Sequence, residues 1–124
     1  MRLALVIAGG GLGTVARYFV GLWMAGRFSA DFPWATLSVN VAGAFLIGLL
    51  ATMADENGAI GADARAFLII GILGGFTTFS SFALEWWRLA EGGNSTNAVL
   101  YIAASLVLSG VAVTAGIVLG RAVA

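Results

Sequence analysis

Gly71-Ile72-Leu73-Gly74-Gly75-Phe76-Thr77-Thr78-Phe79-Ser80-Ser81-Phe82 lies inside an uncharged run between Arg65 and Glu85. A helix that crosses hydrocarbon needs about 20 mostly apolar residues, and this run, extended to Leu89, is long enough. Its centre nevertheless crowds two adjacent glycines, two threonines and two serines. A helix over residues 64–89 has its midpoint near Phe76 and Thr77, so the weak point falls close to the bilayer midplane. Non-helical backbone at that depth is tolerated only where it is buried in protein or lines a wet cavity. Two readings fit the pattern. Either the helix breaks and frees carbonyls and amides that need partners, a bound ion among them, or the glycines form a packing face and the hydroxyls bond back to their own helix.

Three more spans flank this one, at residues 3–25, 34–54 and 97–119, and together they account for one four-helix transmembrane domain over residues 1–124. The composition agrees: 60% of the 124 residues are hydrophobic, 10% are charged, and the mean hydropathy is +1.01. The connections are brief. Asp31 and Pro33 separate the first two spans, Asp55-Glu56-Asn57-Gly58 forms a turn, and Glu91-Gly92-Gly93-Asn94 forms another, with Ser95 or Thr96 available as a helix cap. Short connections make the helices antiparallel neighbours. The chain has no cysteine and no histidine, which removes disulfides, thiol catalysis, zinc sites and histidine acid–base chemistry. Six arginines balance six acidic residues, leaving no basic surface for nucleic acid.

Arg2 followed by an apolar run has the start of a secretory leader, but Arg17 interrupts the run and no A-x-A site follows, so the segment reads as a helix. Gly11-x-Gly13-x-x-Ala16, with Asp31 further on, mimics a dinucleotide fingerprint. That motif needs a βαβ unit, which membrane-length segments do not supply. The four-residue spacings Gly9/Gly13, Gly71/Gly75 and Gly116/Gly120 read instead as close helix-packing faces. With four spans, both termini and the second loop share one side, which carries Arg2, Arg65 and Arg121, while the opposite side carries Arg27 and Arg88. Three against two gives almost no positive-inside bias, so the chain is expected to insert both ways and to pair with an inverted copy of itself.

The candidate site residues are polar groups at hydrocarbon depth. Asn40 lies roughly 9 Å into the second span, where its amide can donate to an anion or tie two helices together. Tyr101, Ser105 and Ser109 recur every fourth residue and form one stripe about 12 Å long, either a ladder of donors or an interhelix seam. Phe79 and Phe82 share a helical face. An aromatic ring has a positive edge, so rings presented edge-on beside hydroxyls favour an anion without a formal charge. A fixed arginine would hold a small anion too tightly for conduction. Arg17, which costs about 2.5–3.5 kcal/mol if central, is therefore read as structural, paired with an acidic group such as Glu85. Glu85 is otherwise placed at a vestibule mouth. Trp23, Trp34, Trp86 and Trp87 read as interfacial anchors.

Three motifs resemble those of the Fluc-type (CrcB) fluoride channels: Gly10-Gly11-x-Gly13-x-x-Ala16-Arg17-Tyr18, Thr36-Leu37-x-Val39-Asn40-x-x-Gly43-x-Phe45-x-x-Gly48, and Gly74-Gly75-Phe76-Thr77-Thr78-Phe79-Ser80-Ser81-Phe82. The likeness covers essentially the whole chain, and the third motif is the most specific. It implies an all-α membrane protein of four transmembrane helices, the third broken near the midplane, assembled as an antiparallel, dual-topology homodimer. It further implies two parallel pores that export fluoride passively across a bacterial inner membrane. Phe79 and Phe82 would touch fluoride with their ring edges, Asn40 would be a pore-lining donor, Thr78 and Ser81 nearby polar groups, and Tyr101, Ser105 and Ser109 the hydroxyl track. The carbonyls of Gly74 and Thr77 would hold a structural sodium ion between the subunits. Ser81 stands where threonine is common, and Val113 stands where the spacing by four would next require a hydroxyl.

The expected function is thus a fluoride channel and not an enzyme, with membrane lipid, fluoride and an inverted copy as partners and no nucleic acid. The rival of a different class is a proton-coupled small multidrug exporter. That mechanism calls for a deep acidic residue, typically in the first span, which has none. A non-transporting membrane subunit is the third alternative, with the midspan polar cluster serving only packing.

Overall fold

The computed structural model describes residues 1–123, and these fold as helices joined by short loops. Four stretches are long and apolar enough to cross a membrane: Arg2–Ala25, Trp34–Asp55, Ala62–Glu91 and Ser95–Ala122. The shortest has 22 residues, about 33 Å of helix against roughly 30 Å of hydrocarbon. We label them α1 (Arg2–Ala25), α2 (Trp34–Asp55), α3 (residues 62–76) and α4 (Phe79–Glu91), the two halves of the third span, and α5 (Ser95–Ala122).

The third span, read over residues 64–89, is broken near its middle, as the first of the two readings and the resemblance imply. Thr77 (φ −84°, ψ 157°) and Thr78 (φ −152°, ψ 121°) are extended and divide it into two helices. The first half has a second irregularity: Ala66–Leu73 is π-helical, with the i→i+5 bonding that inside helices marks functional sites more often than chance.

Close backbone approach binds the helices in two pairs. Where α1 crosses α3, a Cβ added to Gly13 would fall 2.8 Å from the Phe76 nitrogen, and one added to Gly71 would fall 2.9 Å from the Gly9 Cα. Where α2 crosses α5, a Cβ on Gly116 would lie 2.8 Å from the Leu49 nitrogen and one on Gly120 2.9 Å from the Thr52 Cβ. All three glycine pairs read from the spacing by four are therefore packing faces. Lipid tails are as apolar as leucine, so helix association depends on this kind of van der Waals fit and not on hydrophobic exclusion.

A small buried cluster of Leu37, Phe82 and Tyr101 joins α2, α4 and α5, while large apolar side chains on α1 and α5 face outward. At the loop before α5 the chain turns at Gly93 (φ 83°), and the Asn94 amide donates to the Leu89 carbonyl at 2.8 Å. Asn94 thus takes the cap position without a side-chain bond, and Ser95 and Thr96, expected as caps, are the first helical residues. At the end shared by the termini, Arg2 pairs with Asp63, Arg65 with Asp55 and Arg121 with Glu56. The hydrogen bond from the Arg121 guanidinium holds the Glu56 carboxyl below its ordinary range.

Candidate functional site

An interrupted helix in hydrocarbon must satisfy its exposed backbone internally, and α2 supplies the means. Asn40 Nδ2 donates to the Thr78 carbonyl at 2.9 Å, and the Thr78 amide donates back to Asn40 Oδ1 at 2.8 Å. Thr78 Oγ1 accepts from the Ser81 amide at 3.2 Å and so caps α4. Thr77 stays with the first half, its amide and its Oγ1 both donating to the Leu73 carbonyl, at 3.0 and 2.9 Å. From α1, Arg17 Nε donates to the Gly75 carbonyl at 3.2 Å, placing positive charge at the negative end of the α3 dipole.

The break leaves the last carbonyls of α3 without helical partners, those of Gly74 and Thr77 among them. In a continuous helix the Thr78 amide would close on Gly74 and the Ser81 amide on Thr77. Here the first donates to Asn40 and the second to the Thr78 hydroxyl. Both residues with released carbonyls line the same groove, and nothing lies within 4 Å of where a Cβ on Gly74 would stand. Among the described residues no group of three or more carboxylate, imidazole or thiol ligands comes together.

The groove, about 430 Å³, is walled by Asn40 and Gly43 from α2, Phe79 and Phe82 from α4, and Ser105 and Ser109 from α5. No charged side chain lines it. Phe79 is 78% exposed and Phe82 only 7%, with ring centroids 5.6 Å apart at 49°. The Ser105 hydroxyl is buried without a hydrogen-bond partner among the described residues. Such a group costs free energy in an apolar medium until something accepts its proton. Asn40 Nδ2 carries two hydrogens, one of which is engaged by Thr78, leaving a second donor.

The other expected site residues divide around this groove. Ser81 opens into a second pocket of about 370 Å³, on the far side of the break, with Arg17, Tyr18 and Thr36; Thr78 borders both pockets. Tyr101 is fully buried and lines neither, its hydroxyl beside Thr36 and Glu85 without closing a well-formed hydrogen bond to either. The expected Arg17–Glu85 pair does not form. Glu85 accepts instead from Thr36 Oγ1 at 2.7 Å, while Arg17 reaches the Gly75 carbonyl. The reason is geometric: Thr36 lies one turn before Asn40 on the same face of α2, so the face that braces the break also presents a hydroxyl to α4. That spacing by four was the signal for Thr36 as a site residue. Gly43 also belongs to the site, because a Cβ there would collide with the Thr77 methyl.

A multi-pass helical membrane protein whose interrupted span is flanked by an uncharged, mainly apolar groove carrying a few amide and hydroxyl groups is the class that fold and site define. The chain matches the family model described as CrcB-like protein, Camphor Resistance (CrcB), over residues 4–117. It is 50% identical over 121 residues to the fluoride-specific ion channel FluC of Rhizobium meliloti, covering 98% of this chain and 97% of that one. The FluC of Agrobacterium fabrum is 48% identical with the same coverage, and that of Thermus thermophilus 50% identical over 107 residues, 86% of this chain and 84% of the relative. The chain belongs to the CrcB family, a family of ion channels and not of enzymes.

Proposed function

We propose that the chain is a fluoride-selective channel that lets fluoride leave a bacterial cytoplasm passively across the inner membrane, lowering its internal concentration. The observation that carries this reading is the groove beside the break, which brings together the spare Asn40 N–H, the unpaired Ser105 hydroxyl, Ser109 and the Phe79 and Phe82 rings without a charged side chain. Fluoride is small and strongly hydrated, so a selective path must offer closely spaced donors in place of water. Neutral amides, hydroxyls and positive ring edges do this without trapping the ion. Thr78 and Ser81 extend the polar lining beyond the break, and Tyr101 orders the aromatic wall. Arg17 lines the second pocket with its Nε on the Gly75 carbonyl, and Glu85 is engaged by Thr36.

The working unit in this reading is two oppositely inserted copies with two pores. Two observations support it. Arginines divide three to two between the ends, which leaves insertion nearly unbiased. The groove is an open face, with Gly74, Phe79 and Leu106 exposed where a second copy would cover them. The released Gly74 and Thr77 carbonyls of both copies would hold a sodium ion between them, and the ion would neutralise otherwise unsatisfied backbone dipoles at the midplane.

Purified protein in liposomes tests the function. Electrogenic fluoride efflux with chloride excluded is the expected result, and Phe79→Ile or Phe82→Ile should reduce it sharply in protein that still assembles. Bromide passing as readily as fluoride, or proton movement coupled to an organic cation, would overturn the reading. Crosslinking of single cysteines placed at opposite ends tests the inverted pairing, since only antiparallel copies bring unlike ends together.

A further inference from the structure

The loop between α1 and α2 holds the chain's single proline and is shaped around the residue before it. Phe32 precedes Pro33, which confines it to extended backbone. Pro33 itself has φ −82° and ψ 68°, and the Trp34 amide donates to the Phe32 carbonyl at 2.9 Å, an inverse γ-turn. Asn97 Nδ2, from α5, donates to the Asp31 carbonyl at 3.2 Å. The Trp34 ring flanks Phe32 with centroids 4.7 Å apart. Phe32 is thus held from both sides of the chain.

Its ring begins an unbroken aromatic chain that ends at the helix break. Phe32 meets Tyr101 in a T-shaped contact at 5.5 Å and 79°, Tyr101 meets Phe82 in another at 5.1 Å and 61°, and Phe82 meets Phe79 at 5.6 Å. Tyr101 has no exposed surface, so its ring is enclosed by neighbouring side chains. Neither Phe32 nor Tyr101 lines the groove, whereas Phe82 and Phe79 do. Because a ring attracts an anion with its edge and repels it with its face, the plane of Phe82 decides what the groove offers.

We propose that Phe32 is a positioning residue: wedged against Tyr101, it fixes through that ring the plane in which Phe82 faces the groove. The significance for permeation rests on the fluoride-channel reading; the ordering of one ring by another does not. A single aromatic pair is worth too little to decide folding in a membrane bundle, but its loss shifts a ring population by up to about tenfold.

The test uses the full chain in liposomes with 4-fluorophenylalanine in place of Phe82, read by fluorine NMR, alongside fluoride and chloride efflux from unlabelled protein. Phe32→Ala is expected to split or broaden the position-82 resonance, cut fluoride efflux by about tenfold and weaken chloride exclusion, while eluting as the parent does. Phe32→Tyr, which keeps the ring, should restore all three. Should Phe32→Ala fail to fold, Phe32→Leu carries the same test, since it keeps much of the apolar bulk and removes the quadrupole. An unchanged resonance in either truncation overturns the proposal, even if thermal stability falls. A parent protein that passes no fluoride, combined with a resonance that broadens in Phe32→Ala, would sink the channel reading and leave the positioning role standing.

Discussion

The two halves of the third span are held by opposite means. Residues 62–76 lie against α1 through glycines, backbone to backbone, with Gly9, Gly13 and Gly71 leaving no room for a side chain. Phe79–Glu91 is held by side chains: the Thr78 cap, the Asn40 clamp just ahead of it, the Thr36–Glu85 hydrogen bond and the T-shaped Phe82–Tyr101 contact. The first half has almost no freedom to shift because its contacts are made by atoms that cannot change rotamer. The second half carries the chemistry on groups that can. The difference assigns the first half the work of an anchor and the second that of an adjustable wall of the groove.

The largest effect should follow from disturbing the anchor. A methyl group on Gly13 would stand 2.8 Å from the Phe76 nitrogen, a backbone atom with no alternative position short of moving the helix. Overpacking of this kind costs about 1–3 kcal/mol, and here the displaced element is the one that carries the break. Gly13→Ala is expected to lower thermal stability in detergent by that amount, whereas Gly21→Ala, with open space around it, should not. Equal melting of the two variants would show that the glycine seam is not the anchor.

Disturbing the clamp comes next. Asn40→Asp keeps an acceptor for the Thr78 amide but sets a carboxylate oxygen against the Thr78 carbonyl, where Nδ2 now donates at 2.9 Å. Losing that bond and leaving the carbonyl buried costs about 1–3 kcal/mol, and the negative charge opposes any anion in the groove. Fluoride efflux should fall more than stability does, because α3 remains seated on α1. Undiminished efflux would place Asn40 outside the path and reduce it to a brace.

What the sequence made legible follows the same division. The four spans could be read from the gaps between charges, and the glycine seams from spacings of four, because a regular helix repeats its faces. The polar cluster at Thr77 and Thr78 marked the break for the same reason: it is the wrong composition for an uninterrupted membrane helix. The π-helical stretch Ala66–Leu73 was hidden, since Ala-Phe-Leu-Ile-Ile-Gly-Ile-Leu is apolar on every face and reads alike in either helical register. The two extended threonines reset the angular phase of the span. Phe79 and Phe82 could therefore be placed on one face of α4, but not Ser81 on the opposite side of the break from their groove. Opposite charge in the sequence suggests an Arg17–Glu85 pair, but a backbone carbonyl freed by the break takes Arg17 and the Thr36 hydroxyl takes Glu85, and neither partner is visible in charge patterning.

The smallest and most discriminating perturbation is the cap. Thr78→Ala removes the acceptor for the Ser81 amide, a loss of about 1 kcal/mol for a typical helix cap, while the two bonds from the Asn40 side chain engage the main-chain atoms of residue 78 and survive. The first turn of α4 should therefore fray without the clamp opening. Amide hydrogen exchange should quicken over residues 79–82 and stay unchanged over residues 66–73, and Thr78→Ser, which keeps the hydroxyl, should exchange as the parent does. If α3 quickened in step with α4, the two halves would be one cooperative unit, and a rigid anchor carrying an adjustable wall would no longer describe this span.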